Sequence, residues 1–166
     1  MARAPKRGGH PADIKMIDVG EKPVVERMAV ASGEILLQRA TIDMIRQGTL
    51  EKGNVVVASK IVGIAAAKKV PDMLPLCHPL RLTKVEVDVS VLDDRVVVTS
   101  EVKARERTGV EMEALAATTA ALLNVWDMTK MYEKDANGQY PSTAIQNVRV
   151  LKKIKGSNVN APEGRD

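Results

Sequence analysis

The most restrictive feature of this 166-residue chain is a strict alternation of apolar and polar residues between positions 83 and 91. Valine stands at positions 85, 87, 89 and 91, and the residues between them are Lys84, Glu86, Asp88 and Ser90. Because successive side chains of a strand point to opposite faces, this pattern predicts a strand with one buried face. A second alternating segment follows the turn signal Asp93-Asp94, so the two segments predict a long antiparallel hairpin.

Shorter patterns on both sides of the hairpin predict the remaining elements. In chain order they are a strand at 24–31, a helix at 34–46, a short apolar run at 54–58, a helix at 60–69, the hairpin, a long helix at 109–132 and a strand within 143–154. The long helix is rich in alanine and free of internal glycine and proline. Thr108 is predicted as its N-cap, with Glu111 completing a capping box.

Strands and helices in this order predict an α+β fold, in which helices pack on one face of a mainly antiparallel sheet. The other face is expected to need cover, because several alternating valines would otherwise meet water, and a homo-oligomer would provide it. We expect one domain over residues 16–155, between a mobile basic arm at 1–15 and a mobile tail at 156–166.

Composition narrows the classes of partner. The chain has no Phe, one Trp and two Tyr, which argues against recognition of single-stranded nucleic acid by base stacking. The net charge of +4 suits an anionic partner, although much of the excess lies in the N-terminal arm. Cys77 is the only cysteine, and no apolar run approaches the ~18 residues of a membrane span. These features predict a cytoplasmic protein.

The segment L-P-L-C-H-P-L at residues 74–80 is the first candidate for chemistry. Its prolines restrict the backbone around Cys77 and His78 and hold both residues in a preset shape. A histidine can move protons near neutral pH, although a solvated loop histidine beside a buried cysteine is the ordinary alternative. A Cys77–His78 nucleophile is not expected, because neighbouring side chains of an extended segment diverge.

The second candidate lies late in the long helix, where Asp127 and Lys130 stand three positions apart. This spacing places a carboxylate and an ammonium on one face, which is usually a helical ion pair worth ~0.2–0.5 kcal/mol. Asn124 and Glu113 continue the same stripe, and the alanines between them leave room for a ligand or a neighbouring subunit. An aspartate held beside a lysine can accept a proton while the lysine binds phosphate oxygens.

Several lysines are further candidates for contact with a polyphosphate: Lys52, Lys60, Lys68, Lys69, Lys153 and Lys155. Each of them alone is more often a solvated surface charge. No G-x-x-x-x-G-K-[ST] loop is present in the sequence, which excludes a P-loop enzyme. No cluster of His, Asp and Glu has the spacing of metal ligands, so no metal site is predicted.

Seven segments together resemble one family. They are M-I-D-V-G-E-K-P (16–23), K-G-N-V (52–55), I-V-G-I-A-A-A-K-K (61–69), L-P-L-C-H-P-L (74–80), T-K-V-E-V (83–87), G-V-E-M-E-A-L (109–115) and W-D-M-T-K (126–130). In order and spacing they are similar to the cyclic pyranopterin monophosphate synthases of molybdenum cofactor biosynthesis. The resemblance covers residues 16–155, and C-H-P-L and G-V-E-M-E-A-L are its most specific blocks.

The resemblance implies a ferredoxin-like fold assembled as a hexamer, a trimer of dimers, with sites at subunit interfaces. The implied substrate is 3′,8-cyclo-7,8-dihydro-GTP, a purine-derived triphosphate, and the implied products are cyclic pyranopterin monophosphate and pyrophosphate. A sugar hydroxyl must displace pyrophosphate at the α-phosphate while the purine is rebuilt as a pterin. No cofactor is implied, apart from a Mg²⁺ ion that could accompany the triphosphate.

Position by position, the resemblance assigns catalysis to Asp127, Lys130 and His78. The substrate-binding positions that it implies are Leu76, Cys77, His78, Met112, Glu113, Lys52, Lys68 and Lys155. Two positions depart from the family pattern, with Asn54 where Asp is common and Lys60 where Arg is usual. The C-terminal K-S-G-G-K-S-G pattern is also reduced, to K-I-K-G-S at 153–157, which leaves the choice between Lys155 and Lys153 open.

Two other functions must be separated from this one. A non-catalytic ferredoxin-like module could bind nucleotides, or bind RNA through the basic arm. A steep loss of nucleic-acid affinity with salt, abolished by deletion of residues 1–12, would identify such a module. An inactive paralogue would keep the fold without turnover, and direct assay of the substrate would reveal it.

Overall fold

A computed structural model of the protein describes residues 14–158. In chain order its elements are β1 (Val25–Leu36), α1 (Arg39–Gln47), α2 (Val55–Ala67), α3 (Val70–Met73), β2 (Leu82–Val91), β3 (Arg95–Glu106), α4 (Glu111–Glu133) and β4 (Ala144–Asn158). The predicted arm lies almost wholly outside the described residues, as does most of the predicted tail. Residues 156–158 belong to β4, so this strand runs past the predicted domain end at residue 155.

The four strands form one sheet in the order β2-β3-β1-β4, and every neighbouring pair is antiparallel. The first crossover carries α1, α2 and α3, and the second carries α4. This β-α-β-β-α-β order is that of the ferredoxin-like fold, so the predicted α+β class is confirmed. Helices α2 and α4 pack against each other and against the sheet.

The segment predicted as a hairpin forms β2 and β3. Val89 pairs with Val98 across the ladder, and the N–H of Leu92 donates to the carbonyl of Arg95 at 2.8 Å across the turn. The alternation of side chains therefore gave both the type and the pairing of these strands, because a period of two is specific to a strand with one buried face.

The alternating valines face the helices. Val87 and Val89 are buried in the main core cluster, together with residues of α2 and α4. On the opposite face of the hairpin, Lys84 forms ion pairs with Glu86 and Glu101. Val87 and Val89 are thus covered within the chain, and cover of the open face by a homo-oligomer stays a prediction.

Strand β1 extends to Leu36, so the helix predicted to begin at Glu34 begins at Arg39. Alternate residues of β1, including Ala31 and Ile35, stay buried to the end of the strand. Because β1 pairs with β3 on one side and β4 on the other, sheet pairing overrides the local helix propensity of this stretch.

Two other helix boundaries differ from the prediction. Helix α2 begins at Val55, so the short apolar run forms its first turn, and the Asn54 side chain caps it by accepting from the N–H of Val57 at 3.0 Å. Helix α4 begins at Glu111 with Val110 as its N-cap and no capping bond from a side chain. The predicted capping box at Thr108 is therefore wrong.

A buried carboxylate holds the C-terminal end of α4. Glu133 is fully buried, and it accepts hydrogen bonds from the backbone N–H of Gln38 at 3.1 Å and the hydroxyl of Thr143 at 2.6 Å. These bonds join the last turn of α4 to the starts of α1 and β4, which fixes the segment carrying Asp127 and Lys130. Neither α4 nor any other helix within residues 14–158 is both long enough and apolar enough to cross a membrane.

Gly63 allows α2 to approach α4 closely. A Cβ at this position would lie 2.9 Å from the carbonyl oxygen of Ala117 and 3.1 Å from a methyl group of Val87. We expect Gly63→Ala to lower the free energy of unfolding by ~1–3 kcal/mol, because the added methyl overpacks this contact. Urea denaturation measures the change.

The control for this variant is Ala65→Gly, at an exposed position of the same helix. It reports helix propensity alone, which favours alanine over glycine by ~1 kcal/mol. A Gly63→Ala protein as stable as the wild type would contradict the close approach of the two helices.

Candidate functional site

A cavity of about 430 Å³ lies between the 74–80 loop and the N-terminal end of α4. Its walls include Leu76, Cys77 and His78 from the loop and Met112 and Glu113 from α4. The other lining residues are Lys15, Ile17, Val19, Lys22, Leu80, Thr108 and Gly109. The fold thus brings together both segments that were predicted to bind substrate, in a cavity of the size that holds small molecules. We call it the loop cavity.

Glu113 is the most unusual group in the loop cavity. The residue is only 3% exposed, and its Oε2 atom has no hydrogen-bond partner among the described residues. Burial is the main cause that raises the pKa of Glu113, and the nearby carboxylate of Glu111 adds to it. Burial, with a contribution from Glu113, also raises the pKa of the Cys77 thiol, so Cys77 is not an activated nucleophile. A buried carboxylate of this kind is suited to accept hydrogen bonds from N–H groups of a ligand.

We expect Glu113→Gln to raise the free energy of unfolding at neutral pH by ~1–2 kcal/mol, because it removes a buried charge whose Oε2 atom has no hydrogen-bond partner among the described residues. The raised pKa fixes the sign of the pH dependence. The stability that the protonated carboxyl contributes is fully present below the unfolded-state pKa, and it is lost as the pH rises through the raised folded-state pKa. The difference between variant and wild type should therefore shrink on acidification.

Thermal unfolding followed by circular dichroism at about pH 7 and about pH 4, on either side of the ordinary Glu pKa, measures this difference. Glu86→Gln, at an exposed carboxylate on the open face of the sheet, is the matched control. Equal stabilisation by Glu113→Gln at both pH values would show that its charge is not the cause.

A second cavity, of about 470 Å³, adjoins the loop cavity and shares part of its wall, including Gly109. Five cationic side chains line it: Lys22, Arg27, Arg107, Lys153 and Lys155. Arg27 of β1 lies directly opposite Lys155 of β4 in the sheet. Like charges in this position destabilise a strand pair, so the cluster is suited to an anionic ligand that would neutralise it. We call it the basic cavity.

Sequence reasoning placed Lys155 here, with Lys153 as the alternative, and missed Lys22, Arg27 and Arg107. The guanidinium of Arg27 is fixed by donating to the carbonyl of Arg107 at 3.0 Å. These residues lie far apart in the sequence. The pairing of β1 with β4 brings Arg27 to Lys155, and the pairing of β1 with β3 brings it to Arg107. One signal was available, since Arg27 occupies a position where the alternation of β1 otherwise places buried apolar residues.

A third group of predicted residues lies at the other end of α4. The Asp127 carboxylate forms ion pairs with Lys130 at 2.8 Å and with Lys52 at 2.7 Å. Lys52 comes from the loop between α1 and α2 and also donates to the backbone carbonyl of Asp127 at 2.9 Å. Hydrogen bonds from Lys130 and then Lys52 lower the pKa of Asp127 to about 2. This Asp127 cluster opens on a groove beside Trp126, and its carboxylate is accessible to solvent.

The low pKa of Asp127 provides a direct test of the cluster. Titration of its carboxyl carbon by NMR should give a midpoint of about 2, and the midpoint should rise in Lys130→Met because the largest stabilising contact of the carboxylate is removed. Since the pKa is depressed, the stability that this pairing contributes is present above the ordinary Asp value of 3.8 and is lost as the pH falls through about 2.

Lys134→Met removes an exposed lysine one turn further along the chain and is the control for this titration. An unchanged Asp127 midpoint in Lys130→Met, or an equal change in Lys134→Met, would contradict the ion pair.

Helix α4 separates the Asp127 cluster from both cavities. Asp127 stands 15 positions after Met112, which corresponds to ~22 Å along the helix. A single chain therefore does not bring His78 to Asp127 and Lys130, and their convergence across a subunit boundary stays a prediction. Lys68 is the exposed C-cap residue of α2 and is not among the residues that line the two cavities.

Two departures from the family pattern have structural roles. Asn54 caps α2, a role that Asn and Asp fill about equally well. The Nζ atom of Lys60 lies 3.3 Å from the Asp88 carboxylate, so it pairs with the edge strand of the sheet. Across the part of the chain that the structure describes, no group of three or more His, Cys, Asp or Glu side chains is placed to hold a metal ion.

Comparison with known proteins places the chain in a family. The model of the MoaC family matches residues 16–156. The chain belongs to the MoaC family. A probable cyclic pyranopterin monophosphate synthase of Thermococcus kodakarensis is 52% identical over 143 residues, which cover 86% of this chain and 92% of the relative. A protein of Pyrococcus abyssi with the same name is 51% identical over 142 residues, covering 86% of this chain and 89% of the relative.

A further MoaC relative bears a different description. The protein of Methanothermobacter thermautotrophicus is 51% identical over 142 residues, covering 86% of this chain and 89% of the relative, and is named a probable cyclic pyranopterin monophosphate synthase accessory protein. The family resemblance predicted from the seven segments is thus confirmed over the range for which it was stated.

Proposed function

We propose that this MoaC-family chain is a lyase that converts 3′,8-cyclo-7,8-dihydro-GTP to cyclic pyranopterin monophosphate with release of pyrophosphate, in molybdenum cofactor biosynthesis. One observation carries the proposal: a cavity with a buried carboxylate, Glu113, adjoins a cavity lined by five cations. A guanine-derived ring offers N–H donors, and a triphosphate offers the matching negative charge. Relatives with about half of their residues identical bear the name of this synthase.

The ring system of the substrate is proposed to occupy the loop cavity. Glu113 would accept hydrogen bonds from ring N–H groups, while Leu76 and Met112 supply apolar walls. His78 lies in the same wall, and in this proposal it transfers protons as the purine ring opens and the pterin ring closes.

The phosphates are proposed to lie in the basic cavity. The oxygen of a sugar hydroxyl attacks the α-phosphorus and forms a new P–O bond. The bond between the α-phosphorus and the oxygen that bridges it to the β-phosphate breaks, and pyrophosphate leaves with that oxygen. Lys153, Lys155 and Arg27 would neutralise the charge on the phosphate oxygens during this displacement. The hydroxyl proton must pass to a base.

Asp127 is proposed to act on this substrate from a neighbouring subunit, with Lys130 and Lys52. Its pKa of about 2 keeps the carboxylate ionised and able to accept a proton. Phosphate oxygens of the substrate would attract the ammonium groups of Lys130 and Lys52 and so weaken the ion pairs of these lysines with Asp127. The pKa of Asp127 would then rise, which makes it a stronger base when substrate is bound.

The assembly is proposed to be a homohexamer, a trimer of dimers. Leu123 is 57% exposed and Met131 is 50% exposed, on the helix that carries Asp127. Apolar side chains in such positions support a surface that another subunit covers. No resident cofactor is proposed, although a Mg²⁺ ion could accompany the triphosphate. We place the reaction in the cytoplasm, in keeping with the expectation from the sequence.

Direct assay of the purified protein tests the proposal. Incubation with 3′,8-cyclo-7,8-dihydro-GTP should yield pyrophosphate and cyclic pyranopterin monophosphate in equal amounts, measured by a coupled phosphate assay and by mass spectrometry. Substrate binding without turnover would identify an inactive paralogue instead. The alternative RNA-binding module is not favoured, and salt-sensitive RNA binding in the absence of any substrate binding would be needed to restore it.

A further inference from the structure

The basic cavity already contains one carboxylate. Glu111, the first residue of α4, is the acidic residue among the described residues that line it. Its Oε1 atom forms an ion pair with the Nζ atom of Lys153, and its side chain is 25% exposed. Burial alone would raise the pKa of Glu111, but the net effect is a lowered pKa. Hydrogen bonding to Lys153 is the largest of the causes that lower it. Glu111 therefore stays ionised and holds Lys153.

Gly109 provides the space in which this carboxylate lies. A Cβ at position 109 would overlap the carboxylate of Glu111, and this carboxylate supplies all three of the nearest atoms. The backbone of Gly109 is outside the left-handed region, so the need for glycine here is one of space. The chain thus keeps room for the Glu111 carboxylate inside a cavity whose other charged groups are cationic.

We propose that the Glu111 carboxylate occupies the position of an anionic ligand group in the basic cavity and is displaced from Lys153 when a phosphate group binds. The identification of that ligand as pyrophosphate or a triphosphate rests on the proposed function. A cavity with five cations and no counter-charge would hold pyrophosphate tightly and release it slowly. Glu111 weakens this binding, because its carboxylate competes with pyrophosphate for Lys153 and repels the pyrophosphate charge. Tight binding of the product does not assist the reaction, so its loss does not slow catalysis.

Binding of inorganic pyrophosphate to the full-length protein, measured by isothermal titration calorimetry at fixed ionic strength in buffer containing a chelator, tests this proposal. Glu111→Gln should bind pyrophosphate about tenfold more tightly than the wild type, since one like charge is removed within a few ångströms of the ligand. The matched control is Glu26→Gln. It removes the same charge from the residue next to Arg27, on the opposite face of β1, and should change the affinity by less than about twofold.

A second variant keeps the charge of Glu111 and changes only its position. In Gly109→Ala the new methyl group must push the flexible carboxylate away from its place beside Lys153. This variant should also bind pyrophosphate more tightly, by about threefold, and adding Glu111→Gln to it should have a smaller effect than in the wild type because the two changes act on one contact. It also replaces the first variant if Glu111→Gln does not fold.

Unchanged or weaker pyrophosphate binding in Glu111→Gln and Gly109→Ala would overturn the proposal, and so would an equal gain in Glu26→Gln. Turnover of the cyclic dihydro-GTP is measured in a separate assay. Tighter pyrophosphate binding in both variants, together with a wild type that does not act on the cyclic dihydro-GTP, would support the role of Glu111 and reject the proposed function. Turnover of the cyclic dihydro-GTP by the wild type, together with unchanged pyrophosphate affinity in both variants, would support the proposed function and reject the role of Glu111.

Discussion

Replacing Asp127 with asparagine is expected to lower turnover by ~10²-fold or more, as for the loss of a group that accepts a proton in the transition state. The variant should remain folded, because the carboxylate is exposed and its ion pairs with Lys52 and Lys130 lie at the surface, where such pairs contribute little to stability. The measurement is kcat for pyrophosphate release, with thermal unfolding recorded on the same protein.

Asp93→Asn is the matched control for this change. Asp93 is likewise an exposed, ion-paired carboxylate, with one partner, Arg46 at 2.9 Å, but it lies in the β2–β3 turn, away from the Asp127 cluster. Its turnover should equal that of the wild type. If Asp127→Asn retained full activity, Asp127 would have no part in proton transfer, and a loss of activity that tracked a loss of folded protein would make its role structural.

The strands were predictable because their signal is local. The valines that alternate with Lys84, Glu86 and Asp88 specify a strand, its buried face and its hairpin partner without reference to the rest of the chain. The end of β1 was not predictable in this way. Its last residues, from Glu34 to Leu36, form a strand because β3 and β4 flank them on both sides, and that pairing is a property of the whole sheet.

The candidate site shows the same difference between residues with a local sequence signal and residues that meet only in the folded chain. The segments around His78 and Glu113 were predicted from motifs to bind substrate, and the fold places both in one cavity. Arg27 was missed because its partner Lys155 stands far away in the sequence and meets it only across the sheet. The pairing of Lys52 with Asp127 was missed for the same reason, since the α1–α2 loop reaches α4 only in the folded chain.

Mixing two inactive variants is expected to restore activity, because the loop cavity and the Asp127 cluster lie at opposite ends of α4. In our proposal one subunit supplies His78 and its neighbour supplies Asp127. His78→Ala and Asp127→Asn would each disable every site of their own assembly. A site in a mixed assembly is intact when an Asp127→Asn subunit supplies its loop cavity and a His78→Ala subunit supplies its Asp127.

Random reassembly of equal amounts should make about a quarter of the sites intact, since each half of a site is drawn independently from the two kinds of subunit. Co-expression of differently tagged subunits, followed by sequential affinity purification and measurement of pyrophosphate release, would reveal this recovery. Mixing must occur before assembly, because an exchange of subunits between finished oligomers would be slow if the interface is large and apolar.

The decisive control is a mixture of His78→Ala with Glu113→Gln. Both changes lie in the loop cavity, so every site in that mixture carries one of them and no activity should return. A site built within one chain would give no recovery in either mixture, because each chain would carry its own defect. Recovery in the first mixture alone therefore requires that a site combine two subunits, and recovery in neither would reject the interfacial site while leaving the fold and the family unchanged.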